Sequence, residues 1–277
     1  MIFGMEFKSN FGKMIAWAIV LIIFVGLLLL FYPFMMGPQM KSLFDSVISS
    51  MSDTTRSILG LSPSLDYTNP GEYLAMIYHY IAILIIIFAM QIGASSLSKE
   101  QSLGNIQYIY SNPITKAEIV TQKLAANTLL YILLLVILGA ATFGIMYAIG
   151  LTVETFDANQ DLMSLLISII KIFIGLLGSG LVFMSIGFFF SSLSKSSIHA
   201  DAISILFIFL MVIFIILAKV LGGAFLTVVN FFPTEVFHPY NFVSSNINII
   251  NIGVNLILFV IFILLTYAIY SSKELKF

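Results

Sequence analysis

The chain contains no cysteine, which excludes disulfides and every thiolate-based metal or redox centre. Charge is nearly as scarce: Asp, Glu, Lys and Arg make up 9% of the 277 residues, against about a quarter in an ordinary soluble domain. A formal net charge of −1 leaves no basic surface for bulk attraction to nucleic acid, so no nucleic-acid partner is expected. The motifs of chemistry are missing too. No G-x-x-x-x-G-K-[ST] loop is present to cradle ATP phosphates, and no H-E-x-x-H to hold zinc. His79, His199 and His238 lie far apart in the sequence, and Gly178-Ser179-Gly180 lacks the spacing of a serine hydrolase elbow. Acidic residues are nearly absent from the long apolar runs, Asp201 standing at the edge of one. A proton-relay pump or an intramembrane protease would embed several ionisable groups. The chain reads as a non-enzyme with neither a metal nor a cofactor of its own.

What the chain has instead is apolar length: 60% hydrophobic residues and a mean hydropathy of +1.08. A bilayer-spanning helix needs about 20 consecutive apolar residues. Runs over 14–33, 74–97, 122–150, 172–194, 201–219 and 247–270 meet or approach that length. They lack the alternation of barrel strands, so the expected fold is an all-α integral membrane protein of six transmembrane helices. No soluble domain or internal repeat interrupts this single domain, residues 1–277. Lys8 and Lys13 precede the first run without a small-residue cleavage site, which marks a retained span rather than a signal peptide.

The basic residues set an orientation. With the N-terminus inside, Lys8, Lys13, Lys99, Lys116, Lys123, Lys195, Lys273 and Lys276 are cytoplasmic, against Lys41, Arg56, Lys171 and Lys219 outside. Both termini are therefore expected in the cytoplasm. In the first outer loop, roughly 34–73, Leu43, Phe44, Val47, Ile48, Met51, Ile58 and Leu59 recur at helical spacing, which predicts an interfacial amphipathic helix. Residues 220–246 are apolar but broken by Gly222-Gly223 and Pro233. The expectation there is an outer re-entrant hairpin shielded by protein.

Between the second and third runs stands the least hydrophobic part of the chain. In residues 98–121, Gly104 can break a helix, and Ile106, Ile109 and Tyr110 form one apolar stripe. Asn112-Pro113 makes a corner. Thr115 with Glu118 completes a capping box for the helix that becomes the third span. This pattern predicts a short cytoplasmic helix suited to a groove in a partner protein, or else an amphipathic turn lying on the inner membrane surface. Phe3, Phe7 and Phe11 share one face of an N-terminal helix, with Glu6 and Lys13 turned off it.

Small residues mark close helix approach at Ala140 and Gly144 in the third run and at Gly175, Gly178 and Gly187 in the fourth. Asn248, Asn251 and Asn255 share one face of the sixth run, and Gln91 lies near the inner end of the second. These amides meet protein or water, either as interhelical hydrogen bonds or along a substrate path.

The segment between spans two and three resembles that of ABC-2-type ABC transporter permeases. The matching positions are Glu100, Gly104, Ile106, Ile109, Ser111, Pro113, Ile114, Thr115, Lys116, Glu118, Ile119 and Lys123, whereas Asn105 and Gln107 replace the usual Thr and Glu. With six spans and inside termini, the resemblance covers nearly the whole chain. It implies a permease subunit of an exporter that pairs with a second permease, identical or not, and binds a cytoplasmic ATPase holding ATP and Mg2+. The coupling residues would be Glu100, Gly104, Ile106, Ile109, Tyr110, Asn112, Pro113 and Lys116. Residues 1–13, with Phe3, Phe7, Lys8 and Phe11, would form an elbow helix on the inner surface of a bacterial or archaeal cell membrane, in contact with lipid. The cargo would be hydrophobic or amphipathic: an antimicrobial peptide, a drug or a lipid. The alternative is a non-transporting scaffold or sensor that holds a cytoplasmic partner through 98–121. A secondary transporter would need buried ionisable residues.

Overall fold

The computed structural model describes residues 2–61, 65–99, 114–152 and 158–273. Among these the chain is helical, with no strand. Six helices are long and apolar enough to cross a membrane: Ile2–Leu29 (α1), Pro70–Ser96 (α5), Lys116–Gly150 (α6), Ala158–Leu193 (α7), Ser197–Leu221 (α8) and Ile249–Ser272 (α12). Shorter helices fill the connections: Tyr32–Met35 (α2), Pro38–Ser50 (α3) and Asp53–Leu59 (α4), then Gly223–Val229 (α9), Pro233–Val236 (α10) and Pro239–Val243 (α11). The starts of α1 and α6 and the ends of α5, α7 and α12 share one end of the bundle, here called the termini end; α4 and α9–α11 sit at the far end.

Local chemistry fixes several boundaries. Asn69 caps α5, its Oδ1 accepting the N–H groups of Gly71 at 2.9 Å and Glu72 at 3.4 Å, with Pro70 in the first position. Thr115 caps α6: its Oγ1 accepts Glu118 N–H at 3.2 Å, and Glu118 accepts Thr115 N–H at 2.9 Å. Residues 34–61, expected to hold one amphipathic helix, carry two longer helical stretches, α3 and α4. They part at Met51-Ser52, where Ser52 caps α4 through Thr55 N–H.

The centre of the bundle is α5, buried along most of its length against α7. The two backbones touch through glycine. A Cβ on Gly187 would lie 2.2 Å from the Met90 carbonyl oxygen, and one on Gly93 would lie 2.5 Å from that of Met184. Gly175 and Gly178 make room on α7 for the rings of Phe242 and Phe237. At Gly144 nothing lies within 4 Å, so the small-residue pair Ala140–Gly144 does not mark a helix contact within the chain. Ala140 and Gly139 instead line a lateral apolar groove between α6 and α7.

The first helix also departs from expectation. The separate elbow over residues 1–13 is replaced by a helix unbroken from Ile2 to Leu29. No proline interrupts it, and one seam, Ile2, Glu6, Asn10, Met14, Ala18, Leu21, Val25 and Leu29, is buried from end to end, chiefly against α6. At about 1.5 Å per residue α1 is about 42 Å long, and the hydrocarbon core is about 30 Å thick. The helix is therefore longer than the core is thick.

The glycine contacts make a direct prediction. Gly187→Ala forces a methyl group into the α5 backbone and should cost about 1–3 kcal/mol, read as a lowered thermal unfolding temperature in detergent. Gly144→Ala, which meets open space, should be neutral or slightly stabilising in the same assay.

Candidate functional site

The proposed partner-binding residues Glu100, Gly104, Ile106, Ile109, Tyr110, Asn112 and Pro113 lie outside the described residues. The two roots of their segment are described, and there a network of buried polar groups converges from three helices. Lys123 of α6 and Glu6 of α1 form an ion pair at 3.4 Å, with 1% and 3% of their side chains exposed. Glu6 Oε1 also accepts from Asn10 Nδ2 at 2.9 Å, Asn127 Nδ2 at 3.3 Å and Ser96 Oγ at 3.3 Å. Asn10 donates to Asn127 Oδ1 at 2.9 Å, and Asn127 donates to Ser96 Oγ at 3.1 Å. Lys123 Nζ bonds the Ser96 carbonyl at the last residue of α5. An unpaired charge in such a place would be prohibitive, so the carboxylate, the ammonium and the amides are mutually required.

More bonds fasten the roots. Ser191 Oγ of α7 accepts the N–H groups of Leu97 at 2.8 Å and Ser98 at 3.1 Å, the first two residues past α5. Lys99 Nζ bonds Ser9 Oγ of α1, and Gln122 Oε1 accepts Phe3 N–H at 3.2 Å. Lys116, assigned to partner contact from the sequence, donates to the carbonyls of Ser271 at 2.9 Å and Lys273 at 2.8 Å. Lys273 in turn donates to the Ser194 carbonyl at 2.6 Å, just past α7. Burial, with Lys195 nearby, holds the Lys273 ammonium below the usual lysine range.

A rule emerges. The three helices that finish at the termini end, α5, α7 and α12, each present their last carbonyls to a lysine outside the helix: Lys123, Lys273 and Lys116. Such carbonyls lack intrahelical partners and carry the negative end of the helix dipole.

Other sequence-selected residues occupy different places. Phe3, Phe7 and Phe11 stack along one side of α1, with centroid separations of 6.2 and 5.7 Å, while Lys8 is exposed. Gln91 lines a cavity of about 240 Å³ with Lys13, Trp17, Ser95 and Asp201, between α1, α5 and α8. Asn248 caps α12 through the N–H groups of Ile250 and Asn251. Asn251 donates to the Asn230 carbonyl at 3.1 Å, and Asn255 to that of Phe231 at 3.0 Å. The asparagine face therefore meets the backbone at the end of α9.

Sequence reasoning undervalued Glu6, which is embedded in the bundle, and missed Asn10, Asn127, Ser96 and Ser191. One signal was available: Glu6 and Asn10 continue the spacing of Met14, Ala18 and Leu21 along one seam. Among the described residues no group of three or more His, Asp or Glu could hold a metal ion. These bonds join α1, α5, α6 and α7 at one end of the bundle.

Removing one partner of a buried ion pair should cost about 3–5 kcal/mol. Lys123→Met is thus expected to unfold at markedly lower temperature or denaturant, and the double variant Glu6→Gln/Lys123→Met should recover most of that loss.

The model of the family described as ABC-2 family transporter protein matches residues 1–275. A search of curated proteins finds none that matches the chain. Six apolar helices and a sequence match over almost the full length agree: the chain is a multi-pass membrane protein and belongs to the ABC-2 transporter family.

Proposed function

We propose that this chain is the membrane-spanning permease subunit of an exporter in a bacterial or archaeal cell membrane. Both termini and residues 98–121 face the cytoplasm, and a separate ATPase subunit with its ATP and Mg2+ docks on that segment. Two permeases, identical or different, pair in the membrane and move a hydrophobic or amphipathic cargo outward, such as a peptide, a drug or a lipid. The exposed apolar residues Phe225, Leu226 and Val228 of α9 lead us to place that helix in the outer leaflet as a re-entrant element.

The observation that carries the reading is the joint at the roots of 98–121. A force applied to that segment reaches Ser96–Lys99 on one side and Thr115–Lys123 on the other. Both roots are fastened to α1 through Glu6 and Ser9, and the first also to α7 through Ser191. A partner that closes on ATP could thus shift four spans, α1, α5, α6 and α7, together without chemistry in this chain.

The test is reconstitution in lipid vesicles with the ATPase that copurifies with the chain. Ile109→Asp and Pro113→Gly should each lower cargo-stimulated ATP turnover by an order of magnitude or more while the chain remains folded. Unchanged turnover in both variants, or the absence of any ATPase partner, would overturn the proposal.

A further inference from the structure

At the far end of the bundle, two histidines that are distant in sequence meet. His79 of α5 and His238, the residue that caps α11, stack with ring centroids 4.4 Å apart and planes 30° apart. His238 Nδ1 accepts the Tyr240 N–H at 3.2 Å. That bond requires an unprotonated nitrogen, because an imidazolium has no lone pair left to accept with.

Among the described residues the one carboxylate that acts on the pair, Glu235, is shared with a lysine. Lys219 of α8 pairs with Glu235 of α10 at 2.9 Å, and its Nζ also bonds the Ser57 carbonyl of α4 at 3.1 Å. On α4, Arg56 and Asp53 pair with each other. On α7, Lys171 is bound to Ser245 and Val243 at the other end of α11. A proton added to the histidine pair therefore places a second cation beside Lys219, countered only by the Glu235 carboxylate that Lys219 already engages.

The pair also sits where three elements close on α5. Gly60, the positive-φ residue that ends α4, lies so close that a Cβ there would be 2.6 Å from His79 Nε2. Tyr80 OH donates to the Leu59 carbonyl at 2.8 Å. His79 borders a cavity of about 230 Å³, which is also lined by Ile83, Ile86, Val212 and Ile215 and by Leu59 and Glu235, while His238 stands behind it between the lining residues Phe237 and Pro239.

We propose that His79 and His238 form a proton-sensing latch: neutral, they hold α4 and α10–α11 down on α5, and proton uptake releases these elements and opens the cavity beneath. Burial, followed by the Lys219 charge, pushes the His238 pKa down to about 4, from 6.5 for a free imidazole. The sign follows from linkage. Above 6.5 neither state takes up a proton and the latch is fully closed. Between 6.5 and about 4 the open state binds a proton that the closed state refuses. Over that window the closed-to-open ratio falls by up to about tenfold per pH unit for that site.

The absence of native cysteine makes the test direct. Spin labels at Thr54→Cys on α4 and Ser244→Cys after α11, both exposed positions, report the latch distance in the full chain in lipid nanodiscs. A longer population should appear as pH falls from 7.5 to 4.5. The double variant His79→Gln/His238→Asn keeps an oxygen that accepts the Tyr240 N–H but takes up no proton at either position, and it should hold the short distance at both values. An unchanged distribution in the otherwise wild-type chain overturns the proposal, as does a full response retained in the double variant. Should the double variant fail to fold, 13C-labelled imidazole signals of the native histidines decide the same point. His238 must stay neutral while the latch is closed, and protonation near pH 6.5 without opening contradicts the proposal.

Discussion

A carboxylate and an ammonium buried together at the end of a membrane bundle tie down everything near them. Glu6 and Lys123 are each almost fully enclosed, and neither charge can be left there without the other. That requirement holds the first turns of α1 against the first turns of α6. It also fixes the end of α5, because Lys123 and Glu6 both bond Ser96. The end of α5 and the start of α6 are therefore one connected structure rather than two loose ends.

The same physics recurs around it in weaker form. Each helix that ends at this face exposes carbonyls with no partner of their own, and each receives a lysine from elsewhere: Lys123, Lys273 or Lys116. The basic residues that sequence reasoning assigned to orientation thus also close the helix ends. At the far end, side-chain amides and hydroxyls do similar work, with Asn251 and Asn255 on the end of α9 and Tyr80 on the end of α4.

Much of this was legible in the sequence because it is local. The apolar runs announced six helices, and Thr115 with Glu118 announced a start to α6, since an i, i+3 capping box needs no tertiary information. Gly187 was legible as a small residue on a long apolar helix, but its counterpart Gly93 was not, and Gly144 shows that the same signature can face open space. A phenylalanine stripe looks the same whether a helix lies on a surface or continues a span, and only the buried seam through Glu6 and Asn10 ties these turns to α1. The meeting of His79 with His238 and the convergence on Ser96 depend on which helices become neighbours, and no spacing within one segment encodes that.

The central claim is that α1 and both roots of residues 98–121 behave as one rigid joint. Hydrogen–deuterium exchange on wild type and Asn127→Leu, in the full chain in nanodiscs, tests it most directly. Asn127 touches Glu6, Asn10 and Ser96. The account predicts that amides of residues 3–12, 94–99 and 117–126 lose protection together, while those of α8 and α12 keep theirs. Loss of protection confined to α6, with α1 and the end of α5 unchanged, would contradict it.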